Sequence, residues 1–226
     1  MTINHIFFDL DHTLWDFETN SDKTFSYIFE RNGIPMELER FTDTYRPINK
    51  KYWKLFREEK VTKADLRYKR LKEAFDALNF DASDELIHTL SEEYIAYLSG
   101  HNALFENALD VLAYLEQKYK LHIITNGFEE VQFKKLKNSK LLPFFDQVVT
   151  SENVGVKKPD PRIFHYALEV AGASSHESMM IGDNFEADIL GAKNVGMRTI
   201  FCEFNGEIAT EEVTSIRNLI ELKDIL

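Results

Sequence analysis

The chain has 226 residues, 44% hydrophobic and 13% aromatic, enough to bury a sizeable core in one large domain or a core with an insertion. A net charge of −11 argues against a duplex-DNA binder, and a single cysteine, Cys202, excludes an internal disulfide framework and suits a reducing compartment. No apolar run reaches membrane-spanning length, and Met1 leads into a polar turn instead of a signal peptide, so a cytoplasmic protein with no membrane or nucleic-acid-polymer partner is expected.

Ile6-Phe7-Phe8 reads as a short buried strand that ends in two acids, Asp9 and Asp11. In an extended chain, side chains two apart share a face, so both carboxylates point one way while Leu10 points back. Holding both ionised calls for a cation or a shared proton, and a hard divalent ion such as Mg²⁺ suits the oxygens. A pair of solvated acids at a strand end fits the spacing equally well.

Between Trp15 and Gly100 the apolar residues fall at helical spacing. Tyr45, Ile48, Tyr52 and Phe56 form one stripe, Leu71, Phe75 and Leu78 a second, and Leu86, Leu90, Tyr94 and Leu98 a third. Asn32-Gly33-Ile34-Pro35 reads as a helix stop and Asp81 to Glu85 as a helix start, so roughly four inserted helices are expected. From Arg46 to Lys72 there are eleven lysines and arginines against three acids. That stretch is either a solvated helix face or a positive surface for a small anion.

From Ala103 helices and strands alternate. A helix around residues 104–115 leads to a strand, Leu121 to Ile124, that ends in Thr125-Asn126-Gly127. A polar helix with Phe128, Val131 and Leu136 on one side follows, then the strand Gln147-Val148-Val149 and a loop through Lys158-Pro159. A helix is expected from Pro161 to Ala171, a strand at 179–181 ending in Gly182-Asp183, a short helix with Ile189, Leu190 and Val195, and a strand at 199–201. A last helix is expected from Ile216 to Leu226. This alternation implies βαβ units and a parallel sheet, an α/β fold with ligands outside the carboxyl ends of the strands. The expected organisation is a core of residues 1–14 and 101–226, with residues 15–100 inserted after the first strand.

Taken singly, Thr125 reads as a helix cap, Lys158 as a surface lysine, Asp183 as a loop acid and Asp188 as a helix start. Their convergence at one sheet edge is the sharper expectation.

In order and context, DLDHTL, ITNG, KPDPRIF and GDNFEAD resemble the four motifs of the haloacid dehalogenase superfamily of phosphohydrolases. IFFDLDHTLWDF, IITNGF and SENVGVKKPDPRIFHYALE are most similar to its YjjG-type pyrimidine 5′-nucleotidase branch. The resemblance covers the whole chain and implies a Rossmann-like three-layer α/β/α core with a helical cap of the first type. It makes Asp9 the nucleophile and Asp11 the acid and base, and has Mg²⁺ held by the Asp9 carboxylate, the Asp11 main-chain carbonyl and Asp183. Thr125 and Asn126 would meet the phosphoryl oxygens, Lys158 would offset negative charge, and Asp188 would orient Lys158 or a metal-bound water. The implied substrate is a small phosphorylated metabolite, a pyrimidine (deoxy)nucleoside monophosphate, taken by a monomer or small homo-oligomer. One departure is His12, where the family usually has a glycine that eases a turn.

A sugar-phosphate phosphatase and a phosphomutase remain open alternatives, as does a catalytically silent binding module. Asp11 counts against a dehalogenase, which needs no acid for its leaving group, and no cap lysine is marked for the Schiff base of a phosphonatase.

Overall fold

The computed structural model describes residues 2–204, 206 and 208–226; Met1, where the sequence reading begins, lies outside them. The chain divides into two compact units, Met1–Phe17 with Asn102–Leu226, and Glu18–His101.

The first unit is built on β1 (His5–Phe8), whose four residues are all buried. On one side it pairs with β2 (Lys120–Thr125), which pairs with β3 (Gln147–Thr150). On the other it pairs with β4 (Ser178–Gly182), which leads to β5 (Arg198–Cys202) and β6 (Ser215–Ile216). The order is β3-β2-β1-β4-β5-β6 and every pairing is parallel. Strand order therefore reverses beside β1, and such a switch point leaves a crevice at the carboxyl ends of the strands. Phe7 packs with Ile163, Phe164 and Leu168 in one core, while Phe8 faces the other way and is equally buried. Burying a phenylalanine contributes roughly 2–3 kcal/mol, and the two together anchor the strand that carries Asp9.

Around the sheet run α5 (Ala108–Leu115), α6 (Glu129–Asn138), the short α7 (Ser151–Val154), α8 (Pro161–Ala171), α9 (Gly191–Asn194) and α10 (Leu222–Ile225). The expected bounds of α8 hold for readable reasons: the Asp160 side chain accepts from the Arg162 N–H, proline fills the first turn, and Gly172 closes the helix at φ +63°. The C-terminal expectation fails in part. Ile216 is a buried residue of the edge strand β6, and the helix is confined to Leu222–Ile225. Asn218 and Glu221 form a reciprocal cap that starts helical structure only after the strand.

The second unit holds the remainder of α1 (Phe17–Arg31), with α2 (Leu38–Arg57), α3 (Lys63–Ala77) and α4 (Asp84–Leu98). Its core is aromatic: Phe25 meets Phe41, Tyr45 and Tyr94 at ring separations of 4.7–4.8 Å. The basic stretch is largely ion-paired. Arg46 meets Glu18 and Asp22, Lys51 meets Glu73, Lys54 and Lys60 meet Glu58, Lys69 meets Asp65, and Lys72 meets Asp76. Arg70 is buried, donates to Asn49 and lies over the Tyr94 ring. The solvated-face reading is the better one, since most of this charge is spent on neighbours.

His5 and His122, adjacent on β1 and β2, meet at 3.0 Å between Nδ1 and Nε2. Burial and the neighbouring His5 push His122 down to about 4, against a weaker upward pull from Asp146. An unfolded histidine takes up a proton near pH 6.5, whereas this one stays neutral in the fold until about 4, so stability is lost as pH falls through that window. Urea melts should show a loss of up to about 3 kcal/mol between these limits, and His122→Leu should flatten the slope. An unchanged acid slope in the variant would disprove this account.

Candidate active site

Three strands deliver their last residues to the crevice. Asp9 follows β1 and its N–H bonds the Ile181 carbonyl of β4, Thr125 ends β2, and Asp183 follows β4. Lys158 comes from the loop before α8 and is fully enclosed. Its Nζ lies 2.6 Å from Asp9 Oδ1, 2.6 Å from the Ile124 carbonyl and 2.6 Å from Asp188 Oδ1. The first two are aligned hydrogen bonds and the third is an ion-pair contact.

Asn126 explains how the lysine is aimed. Its Oδ1 accepts from the Lys158 N–H at 2.8 Å and its Nδ2 donates to the Lys158 carbonyl at 3.0 Å. Both ends of the amide thus clamp the lysine's main chain. Asp188 sits in a wide π-type turn, Phe185–Leu190, and its Oδ2 accepts from the Asn184 N–H at 3.0 Å. Gly182 makes room for it, because a Cβ there would collide with the Asp188 carboxylate.

Asp9, Asp183 and Asp188 bring carboxylate oxygens within 4.8 Å of one another. Burial raises the Asp9 carboxyl well above the usual range; Lys158 pulls it back, and Asp188 and Asp183 push it up again. Burial alone would lower Lys158, but Asp188 and Asp9 outweigh it and raise the ammonium. Three acids around one ammonium leave an excess of negative charge on hard oxygen donors. That is the donor set a magnesium ion takes, so the residues fit the ion the sequence reading expected.

The Asp11 carboxylate is turned to α6 instead. Lys135 Nζ lies 2.6 Å from Oδ1, and Gln132 Nε2 donates to Oδ2 at 3.0 Å. Gln132 also donates to Thr125 Oγ1 at 2.7 Å, and the Gly127 N–H donates to the same oxygen at 3.1 Å. With both lone pairs of the hydroxyl used, its proton is left for another acceptor. Neither Gln132 nor Lys135 was singled out from sequence. Phe128, Val131, Gln132, Lys135 and Leu136 follow the spacing of one buried helix face, and two polar residues on such a stripe were the available signal. His12 adopts φ +64°, the left-handed turn that a glycine would take more easily, and its ring packs on Phe17 at 4.9 Å.

The sequence model of the haloacid dehalogenase-like hydrolases matches residues 3–196. The chain belongs to that family. It is 30% identical, with a TM-score of 0.89, to the HAD-hydrolase YfnB of Bacillus subtilis in a magnesium-bound crystal structure described as revealing interdomain movement; the match covers 100% of this chain and 99% of that one. It is 31% identical to the pyrimidine 5′-nucleotidase YjjG of Escherichia coli, over 98% of this chain and 96% of that protein. It is 33% identical to a glyceraldehyde 3-phosphate phosphatase of Methanothermobacter thermautotrophicus, over 98% of both. None of the described helices of this haloacid dehalogenase-like hydrolase is long and apolar enough to cross a membrane.

Proposed function

We propose that this hydrolase cleaves small phosphate monoesters in a magnesium-dependent reaction through a phosphoryl group carried on Asp9. The observation that carries the proposal is the buried Lys158 holding Asp9 and Asp188 together beside Asp183. The Asp9 carboxylate, the Asp11 main-chain carbonyl and Asp183 would hold Mg²⁺, which neutralises carboxylate and phosphate together.

The residues divide the work as follows. An Asp9 oxygen attacks phosphorus, and the P–O bond to the leaving group breaks. Asp11 gives its proton to the leaving oxygen and regains one from the water that hydrolyses the acyl phosphate. The Thr125 hydroxyl donates its remaining proton to a phosphoryl oxygen, and Lys158 offsets the negative charge of the Asp9 carboxylate and the phosphate it approaches. Asn126 and Asp188 keep the lysine in place.

Among substrates we favour a pyrimidine nucleoside monophosphate, supported by the resemblance of IITNGF and SENVGVKKPDPRIFHYALE and by the similarity to YjjG. The similar identity to a triose-phosphate phosphatase supports a small sugar phosphate as the second reading. The four-helix unit is the proposed selector, since its chain leaves the core at Phe17, six residues after Asp11. Exchanging residues 18–101 for the same segment of a relative should carry substrate preference with it; an unmoved preference would place selection in the core.

The test is a panel of nucleoside monophosphates, triose and hexose phosphates and p-nitrophenyl phosphate, each with Mg²⁺ and with EDTA. Release of phosphate that EDTA stops and Mg²⁺ restores is expected, with pyrimidine nucleotides the best natural substrates. No phosphate release from any ester would overturn the phosphatase reading.

A further inference from the structure

We infer that Lys135 is a positioning residue for the proton-transfer step, and that with Gln132 it locks the acid–base carboxyl of Asp11 to the phosphate-binding hydroxyl of Thr125. The inference rests on the phosphatase reading above. Lys135 projects from the middle of α6, and its side chain is only 2% exposed, against 21% for Asp11. Its ammonium lies 2.6 Å from Asp11 Oδ1, 4.2 Å from the centre of the Trp15 ring and 5.2 Å from that of Phe17.

A buried ammonium is costly to desolvate, and an apolar residue of similar size on this helix face would be easier to bury. Its position next to the proton-transfer carboxyl points to a job there. Lys135 takes one oxygen of Asp11 and Gln132 takes the other, so the plane of the carboxyl is fixed from behind. Each oxygen keeps a second lone-pair position, and the outward one can carry the proton that goes to the leaving oxygen.

Gln132 adds the coupling. One amide nitrogen reaches both Asp11 and Thr125, so the group that moves the proton and the group that binds the phosphoryl oxygen are set by the same side chain. Gly127 protects the arrangement: a Cβ there would run into the Gln132 side chain. The proton leaves Asp11 for the departing alkoxide and returns to it from water.

The experiment measures kcat/KM, which reports the first phosphoryl transfer, on two esters in the presence of Mg²⁺. One is p-nitrophenyl phosphate, whose phenolate leaves with little help; the other is an alkyl phosphate, whose alkoxide needs the proton. In Lys135→Met, activity on the alkyl ester should fall about ten- to a hundredfold further than on the aryl ester, because an unheld Asp11 loses aim where protonation matters. Lys135→Arg should restore part of that difference. Should Lys135→Met fail to fold, Gln132→Leu should show the same further fall on the alkyl ester, on top of a common loss on both esters through Thr125. Equal losses on both esters in these variants, or none, would overturn the inference and leave Lys135 a structural ion pair. A wild-type enzyme that released phosphate from no ester of the wider panel would sink the phosphatase reading itself, and this inference with it.

Discussion

Asp9→Asn is expected to abolish turnover while leaving the fold at least as stable as the wild type. The amide is a poor nucleophile, so loss on the order of 10⁴-fold or more is anticipated. The stability side follows from the charges around the residue. Asp9 is 8% exposed, and burial works against its ionised form, as do Asp188 and Asp183. An amide has the same shape and none of that repulsion, and Lys158 retains Asp188 and the Ile124 carbonyl as partners. A metal-free thermal melt should therefore place the variant at or above the wild-type midpoint, the pattern of a group kept for chemistry at the expense of stability. Trapping of radiolabelled phosphate on protein in the wild type, and its loss in the variant, would place the intermediate on this side chain. Near-normal turnover by Asp9→Asn would end the covalent mechanism.

The fold was legible wherever a local rule and the tertiary environment agreed. The run Ile6 to Phe8 is a strand buried on both faces, so its composition alone reveals it. The cap, proline and glycine around α8 fixed both of its ends. The C-terminal segment read differently because Ile216, Leu219 and Leu222 fit helical spacing, while Ile216 belongs to a two-residue edge strand. So short a strand has no periodicity to read, and only its pairing with β5 defines it. Similarly, Ile87 and not Leu86 is the buried start of the α4 stripe, because the Ser83 cap sets the phase of the helix.

The candidate site was legible as a list and less so as a wiring diagram. Motifs mark Asp9, Asp11, Thr125, Lys158, Asp183 and Asp188, but their pairings depend on side chains approaching across the crevice. Asn126, expected to meet phosphoryl oxygens, spends its side-chain amide on the Lys158 main chain, a contact spanning 32 residues of sequence. Lys135 and Asp11 are 124 residues apart. No local pattern announces such a pair; only the polar break in an apolar stripe hints that something lies opposite.

Lys158→Met is expected to cost both activity and stability, and the two losses separate on a second substitution. The lysine is the ammonium shared by Asp9 and Asp188, so its removal leaves two buried carboxyls facing each other. Breaking a buried pair from one side costs about 3–5 kcal/mol when the remaining charge stays ionised. Asp9 already holds its proton more tightly than a free carboxyl, and without the lysine it would hold it tighter still. Its folded pKa then lies above the unfolded value near 4, so the variant is penalised least in acid and loses stability as pH rises through the folded value. The deficit against wild type should accordingly be smallest in acid and grow as pH rises. Turnover should fall about 10³-fold or more, because the repulsion between the Asp9 carboxylate and the phosphoryl group has lost its fixed counter-charge. Adding Asp9→Asn to Lys158→Met should recover much of the stability at neutral pH and none of the activity, a non-additivity that identifies the pair as one unit. Equal melting of Lys158→Met and wild type at every pH would show that the lysine does not carry this charge, and the electrostatic account of the crevice would have to be abandoned.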